Sequence, residues 1–491
     1  MVFVIDIGTS SVRGLLLDHA GVIEKSIQYE YCVQVVDGET ALQDPEIILK
    51  DVFQILSEVG EWVRETKNKI EVISVTGQRS SVIPVTEDGK ALSAAISWQD
   101  RRSGVMCDRF RKQWKNIYQI TGMKLSPVFS APKMMYLMQN DKELYEKAYK
   151  LIGFQEYILF HLTHEFATDT SIASRTSLFD ISRLKWSDEL MELFGLSKAK
   201  LCQLIDVGGV VGSATREVQR LLGMQGKIPV ISAGGDQQCA ALGMGCIEQG
   251  SIEVNSGTGA YAIGIANRPV FHPDMSLNCN VSAVKGKWIV EGAVLSAGRS
   301  VEWFVKELFS QGETRDYETF MKACGEVPPG ANGVIVSPSL AGKGTPDWNP
   351  QIRGGIFHLS FSNKKEEFAR ALLEGIAAEL WDCIEAIEKL TGTKCLSVKA
   401  GGGLLRNQTY CQVLSDMFGK AIEQPEVCEA TGIGAWISAE TSLGNYKTQE
   451  EAYRAYDRSI HKKIWIPDEK VTKLYRGIDK IRKKYEMIYQ D

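Results

Sequence analysis

Apolar and polar positions along this chain fall into two kinds of run, short β-type segments and helical stripes. Segments 2–7, 13–17 and 21–28 are brief and rich in Val, Ile and Leu, with turn signals at Gly8 and at Asp18-His19-Ala20-Gly21. That pattern predicts an antiparallel meander. From Pro45 to about Lys67 the apolar residues Ile47, Ile48, Val52, Ile55, Leu56, Val59 and Val63 recur at a helical period, as on one face of an amphipathic helix. Residues 70–76 then predict a strand ending at Gly77-Gln78. Three strands, a helix and a strand make an α/β unit, and it does not begin as the βαβ of a Rossmann fold.

The second half repeats the order. Strands are predicted around 251–255, 260–266, 277–284 and 287–291, with a helix from about Ser296. A long helix from Lys365 to Leu390 sets Phe368, Leu372, Ile376, Leu380, Ile384 and Ile387 on one face, and strand 396–400 ends at Gly401-Gly402-Gly403. The repeat is one of topology and not of sequence identity. It predicts two α/β domains, 1–246 and 247–491, with a short linker near Gly245–Gly250. Residues 464–490 predict a charged helix solvated on the surface.

Composition narrows the function. A chain of 491 residues is too long for one core. The net charge of −5 gives no electrostatic case for nucleic acid or an anionic membrane. No apolar stretch is long enough for a membrane helix, and Asp6 interrupts the first apolar run, so no signal peptide is expected. Eleven cysteines without a CxxC spacing fit free thiols in a reducing cytoplasm. His161 and His164 share a helical spacing without a third ligand nearby and read as surface residues. Neither GxGxxG nor GxxxxGK[ST] occurs, which argues against Rossmann and P-loop functions.

Five segments carry candidate chemistry. Asp6-Ile7-Gly8-Thr9-Ser10-Ser11, with Arg13 following, is either a plain hairpin or a loop whose carboxylate holds Mg²⁺ and whose hydroxyls, N–H groups and guanidinium bind phosphate. Gly257-Thr258-Gly259 poses the same choice at the start of the second half. Asp236, after the glycine turn Gly234-Gly235, is either an ordinary N-cap or a general base in a cleft. Gly401-Gly402-Gly403 offers a flat backbone surface for a planar ring or ribose. Gln78 and Arg79, with Trp98, Asp100, Arg101 and Arg102 downstream, suit a polyhydroxyl ligand or form a solvated charged loop.

Taken in order, these segments resemble the FGGY carbohydrate kinase family, the xylulokinase and glycerol kinase group of the actin-like ATPase superfamily. The likeness covers nearly the whole length. Asp6-Ile7-Gly8-Thr9-Ser10 is similar to the first phosphate motif and Gly257-Thr258-Gly259 to the second. Trp98-Gln99-Asp100-Arg101-Arg102, Ser130-Ala131-Pro132-Lys133, and Thr168-Asp169 with Ala173-Ser174-Arg175-Thr176 resemble signatures of the first domain. Ala233-Gly234-Gly235-Asp236-Gln237-Gln238 resembles the segment of the catalytic aspartate. Gly342-Lys343-Gly344-Thr345-Pro346-Asp347-Trp348-Asn349-Pro350, Arg353-Gly354 and Leu373-Glu374-Gly375-Ile376-Ala377 resemble the C-terminal signature, and Gly401-Gly402-Gly403 with Asn407 the adenosine motif.

The resemblance implies two ribonuclease-H-like domains around a deep cleft, a cytoplasmic enzyme that uses ATP and Mg²⁺, and a small sugar or polyol as acceptor. It implies Asp236 as base, Asp6 and Asp236 as magnesium ligands, and Thr9, Ser10, Arg13, Gly257, Thr258, Gly259, Gly401, Gly402 and Asn407 on ATP. Gln78, Arg79, Trp98, Asp100, Asp236 and Gln237 would meet the acceptor, and a homodimer is compatible with the family. Ser80 stands where glycerol kinases carry Glu, and Val128 where they carry Tyr. Arg79-Ser80 replaces the Met-His of xylulokinases, whereas Asp100 fits the ketopentose kinase pattern. A xylulose-type ketose is therefore the favoured acceptor, with glycerol or another polyol as the alternative. An actin-like ATPase or a sugar-binding regulator without kinase activity is the alternative from another class.

Overall fold

The structure, a computed structural model, describes residues 1–310, 316–426 and 429–487. In the first half, β1 (Val2–Ile7), β2 (Ser11–Leu17) and β3 (Ile23–Glu30) form the expected meander. Helix α1 (Pro45–Thr66) crosses over, and β4 (Val72–Gly77) pairs in parallel with β1. Asp44 caps α1 by accepting from Glu46 N, with Pro45 in the first turn. Ile48, Val52, Ile55, Leu56, Val59 and Val63 are buried in the core beside the sheet, while Ile47 faces solvent. With β5 (Val210–Ser213) and β6 (Pro229–Gly235), the six-stranded sheet runs β5-β6-β4-β1-β2-β3.

Helix α2 (Asp236–Gly243) leaves the end of β6. The second half then lays down β7 (Ser251–Ser256), β8 (Ala260–Ala266), β9 (Asn278–Val281) and β10 (Trp288–Val294). Next come α3 (Lys365–Thr391), β11 (Ser397–Gly401), β12 (Ile422–Pro425), α4 (Ala430–Ser442) and β13 (Lys462–Trp465). The seven-stranded sheet runs β9-β10-β8-β7-β11-β12-β13. Strand β7 pairs antiparallel with β8 and parallel with β11, as β1 does with β2 and β4. The order β3-β2-β1-β4-β6 of the first sheet thus has its counterpart in β10-β8-β7-β11-β12.

Two features at the end of the chain differ from a simple division into halves. Helix α4 lies beyond residue 246 yet packs on β1, β4, β6 and α2 of the first half. Ser74 Oγ donates to Ala435 O at 2.8 Å, and Trp436 Nε1 donates to Asp18 O at 2.8 Å. The helices α2 and α4 meet at backbone distance, since a Cβ on Gly434 would fall 1.8 Å from Cys239 O. The last helix, α5 (Glu469–Met487), is the second departure, because it buries Tyr475 and Arg482 instead of lying solvated. Arg482 pairs with Asp382 of α3 at 2.7 Å and with Asp479 and Glu486 of its own helix at 2.6 and 2.8 Å. The acid that draws Arg482 inward is about a hundred residues away, so the local charge run hides the pairing. Residues 462–465 form an edge strand ahead of α5, and 488–490 of the expected helix lie outside the described residues. No helix among the described residues is long and apolar enough to cross a membrane.

Candidate functional site

The parallel strands β4 and β6 end at the same edge of the first sheet, where α/β folds open a crevice for ligands. Asp236 is the first residue of α2 at that edge. Gly234 adopts φ +117°, where side chains other than glycine are strained, and a Cβ on Gly235 would sit 2.7 Å from Arg79 Cδ. Gly235 therefore lets Arg79 lie against the strand end, its Nε 3.3 Å from Asp236 Oδ1. Burial pushes the Asp236 carboxyl above its ordinary range, and the Arg79 guanidinium pulls it back. Behind this edge, buried Asp169 accepts from Ser171 N at 2.8 Å, from Gln155 Nε2 at 3.1 Å and from Ser232 Oγ at 2.6 Å. Ser171 Oγ in turn accepts from Gly235 N at 3.0 Å. The Thr168-Asp169 motif thus fixes the strand end that carries Asp236.

Asp6 lies on β1, in register with Arg13 of β2 and Thr76 of β4. Burial, and then the charge of Asp236, push its carboxyl up to about 7. The turn after it is held from several sides. Gly8 N donates to Ser11 O at 2.9 Å, Tyr31 Oη donates to Gly8 O at 2.6 Å, and Trp98 Nε1 donates to Thr9 Oγ1 at 3.0 Å. Ser10 is exposed on the turn. Arg13, expected on phosphate, is engaged elsewhere: Nη1 donates to Glu429 Oε2 at 2.7 Å and Nε to Gln28 Oε1 at 2.6 Å. Its strand position faces it to Gln28 across the ladder, and the turn before α4 supplies the acid.

The second loop joins β7 to β8, with Thr258 exposed at its tip. Its carbonyls are backed by the start of helix Gly298–Phe304: Gly298 N donates to Gly257 O at 2.9 Å and Arg299 N to Thr258 O at 3.1 Å. Gly401 ends β11 opposite Asn255, and Gly402, at φ +100°, would place a Cβ 2.6 Å from Ser256 O. Strand pairing therefore brings Gly401 and Gly402 beside Gly257-Thr258-Gly259. Asn407 is buried, and its side-chain oxygen caps helix Gln408–Phe418 by accepting from Tyr410 N at 3.2 Å. The backbone of Gly401–Gly403, not that oxygen, is what the segment leaves open.

A cavity of about 890 Å³ opens between the two sheets. It is lined from the first half by Thr9, Gln78, Arg79, Trp98, Asp236 and Gln237, and from the second by Tyr261, Glu291, Lys343 and Trp348. Buried Glu291 of β10 holds two guanidinia at the floor: Arg175 Nη1 at 3.0 Å and Arg79 Nη1 at 3.4 Å. Burial opposes its ionisation, but Arg175 and Arg79 outweigh that and keep its carboxyl below the usual range. Arg79 also donates to Gln237 Oε1. Gln78 is buried with neither side-chain amide atom paired among the described residues, which leaves both available to hydroxyls. The wall at 126–129 is pinned by buried Lys133, whose Nζ donates to Pro127 O and Val128 O at 2.6 Å and to Phe129 O at 3.2 Å.

One expected acceptor contact is corrected. Asp100 is 2% exposed and stands apart from the cavity. Its Oδ2 accepts from Ala41 N at 3.0 Å and from Arg102 Nε at 2.9 Å. In a turn such as Trp98-Gln99-Asp100 the sequence does not reveal which polar side chain folds inward. Glu291 and Tyr31 are neighbours of the site that sequence reasoning passed over, whereas Lys133 entered only as the end of the Ser130-Ala131-Pro132-Lys133 signature. Only Glu291 left a signal, as an acid inside the apolar strand Trp288–Val294.

The likeness to known proteins extends over both halves of the chain. Residues 1–243 match the FGGY family of carbohydrate kinases, N-terminal domain, and residues 253–443 its C-terminal domain. A glycerol kinase of Thermococcus gammatolerans is 32% identical over 483 residues, covering 96% of this chain and 95% of that protein. A gluconokinase of Bacillus subtilis (strain 168) is 28% identical over 454 residues, covering 90% of this chain and 87% of that one. Among solved structures, a gluconate kinase from Lactobacillus acidophilus superposes with a TM-score of 0.91 at 26% identity, over 100% of this chain and 99% of that one. A ligand-bound xylulose kinase from the same organism gives a TM-score of 0.91 at 25% identity, over 99% and 98%.

Proposed function

We propose that this chain, which belongs to the FGGY family of carbohydrate kinases, transfers the γ-phosphoryl group of ATP to a small polyhydroxylated acceptor with Asp236 as general base. The observation that carries the reading is the placement of Asp236. Its carboxylate stands on the cavity wall, oriented by Arg79 at 3.3 Å and close enough to Asp6 to raise that residue's pKa.

The geometry supports the following roles. The acceptor lies along Gln78, Arg79, Trp98 and Gln237, with its reacting hydroxyl toward Asp236, which takes the proton as the oxygen attacks phosphorus. Thr9 and Ser10 from one loop, and the backbone and hydroxyl of Gly257-Thr258-Gly259 from the other, donate to the phosphate oxygens as charge develops. Gly401 and Gly402 lie on the nucleoside side. Two neighbouring carboxylates that resist joint ionisation suit a divalent cation, and magnesium is bound by one or two carboxylates plus substrate phosphates. Asp6 and Asp236 would hold it, and when bound it neutralises phosphate charge. Arg13 holds Glu429 and so positions the first loop. The same reading places the enzyme in the cytoplasm, where ATP is available.

Acceptor choice is the finer question. The ketopentose expectation rested on Asp100, whose carboxylate is committed to Ala41 and Arg102. Ser80 and Val128 line the cavity where a glycerol site would present Glu and Tyr, so the three-carbon reading has little support. ADP release by the purified chain, measured with ATP and magnesium across ketoses, polyols and sugar acids, tests the proposal. Stimulation by one acceptor class is the expected result. ADP release that no acceptor increases would support an ATPase instead, and no release would support a regulator.

A further inference from the structure

The charges around the cavity do not balance, and the residue left over is Lys124. The acids on the lining are Asp108, Asp236 and Glu291, and the bases are Arg79, Lys124, Arg175 and Lys343. Arg79 pairs with Asp236 and Glu291, and Arg175 with Glu291. Lys343 is held by Asp347 at 3.0 Å and Glu486 at 2.6 Å. Asp108 accepts twice from Arg111, at 2.9 and 2.8 Å. Lys124 is different: its ammonium lies 4.8 Å from the centroid of the Trp114 ring, and no carboxylate among the described residues pairs with it. A half-buried lysine facing a ligand cavity without an acid offers a cation to whatever enters.

Size points the same way. A volume of about 890 Å³ lies toward the upper end of small-molecule sites, roughly 300–1,000 Å³. Ser80 and Val128, on the same lining, are small side chains that leave room along the wall. A neutral triol would fill little of that space and leave the ammonium of Lys124 without an anion.

We infer that the acceptor is a straight-chain polyhydroxy monocarboxylate of five or six carbons, an aldonate, whose carboxylate is seated by Lys124 beside Trp114. This rests on the kinase reading above. The carboxylate end lies against Lys124 while the hydroxyl-bearing chain runs past Trp98 and Gln78 toward Asp236. Phosphoryl transfer consumes no charge at the carboxylate, so Lys124 acts in binding and selection and not in the chemical step.

The experiment is a coupled ADP-release assay on the full chain, with ATP and magnesium, against the C5 and C6 aldonates. Each aldonate is paired with its alditol, the same chain ending in CH₂OH, and D-xylulose and glycerol are included. The expected result is at least one aldonate with kcat/KM about tenfold or more above its alditol, the scale of a hydrogen bond to a charged partner. Lys124→Met should raise KM for that aldonate about tenfold, with kcat, the KM for ATP and the melting temperature changed little. Lys124→Arg should restore part of the loss. The inference is overturned if a ketose or neutral polyol is phosphorylated and no aldonate is, a result that leaves the kinase reading intact. It is also overturned if Lys124→Met weakens aldonate and alditol equally. If no acceptor increases ADP release, the kinase reading itself fails and this inference falls with it.

Discussion

Arg175 of the first half donates from Nη1 to Glu291 Oε2 of the second at 3.0 Å, directly beneath the cavity that Asp236 faces. Both side chains are buried, and Asn280 Nδ2 donates to the same oxygen at 3.0 Å. The pair joins the two halves of the chain at the floor of the cleft and, through Arg79, reaches Asp236.

Removing one member of this pair should be costly. Glu291→Ala leaves Arg175 buried without its carboxylate and Arg79 with one anchor fewer, a change on the order of 3–5 kcal/mol. The expected outcome is a lower denaturation midpoint together with reduced kcat, because Arg79 no longer holds Asp236 in place. Denaturant titration and steady-state kinetics on the same sample check it. Loss of stability with unchanged kcat would remove Glu291 from the positioning of Asp236.

Asp236→Ala removes the proposed base but not the phosphate loops. Turnover should fall by about 10²–10⁴-fold, the usual contribution of general base catalysis, while ATP still binds. Equilibrium binding of ATP alongside single-turnover transfer separates the two effects. Retained turnover would take the base role from Asp236.

Asp6 gives a pH signature whose sign can be worked out. Its carboxyl titrates near 3.8 when free and is pushed up to about 7 in the fold, by burial first and by Asp236 second. Between those values the folded chain holds a proton that the unfolded chain has released, so this group's contribution to stability is full below about 4 and is lost as pH rises to about 7. Asp6→Asn should therefore be more stable than the parent at pH 8 without magnesium, with the advantage shrinking toward pH 4. Denaturant midpoints across that range test it, and magnesium with nucleotide should stabilise the parent more than the variant.

Lys133 lies beneath the wall that carries Val128. Lys133→Met strips three backbone carbonyls of their donor, and each carbonyl left unpaired costs about 1–3 kcal/mol. The 126–129 segment also loses its anchor, so the acceptor KM should rise several-fold while the ATP KM stays close to that of the parent. Kinetics with each substrate varied in turn would show the split. An equal rise in both would mean a general loss of structure.

Local pattern made the sheets legible because strands separated by Gly turns announce themselves. The meander from Val2 to Glu30 and its counterpart from Ser251 follow directly from that pattern. The position of Asp236 at a strand end was legible for a related reason, since Gly234-Gly235 just before an acid marks a thin backbone there. Pairings across long separations were not. Arg13 and Glu429 are 416 positions apart, and nothing near Arg13 shows that its guanidinium is claimed. The placement of α4 on the first sheet, likewise, depends on close packing between Gly434 and Cys239, which becomes visible only when the two helices are seen together.

Asp100 brings this limit into one residue. Its sequence context suggested a contact with a ketopentose, yet its oxygens accept from Ala41 N and from the Arg102 guanidinium, and it is 2% exposed. An Asn at 100 keeps the oxygen that serves Ala41 N and the Arg102 guanidinium, but it puts an uncharged NH₂ group where Oδ1 accepts from Arg102 N and Nε at 3.1 and 3.2 Å. The expected effect of Asp100→Asn is therefore a loss of about 1–3 kcal/mol in stability, as one charge-assisted bond goes. The ratio of kcat/KM between acceptors should stay where it is, because the side chain does not line the cavity. Melting curves and a competition assay between two acceptors measure these separately. If the preference between acceptors moves while stability holds, Asp100 contacts the acceptor after all, and the ketopentose reading regains its support at the expense of Lys124.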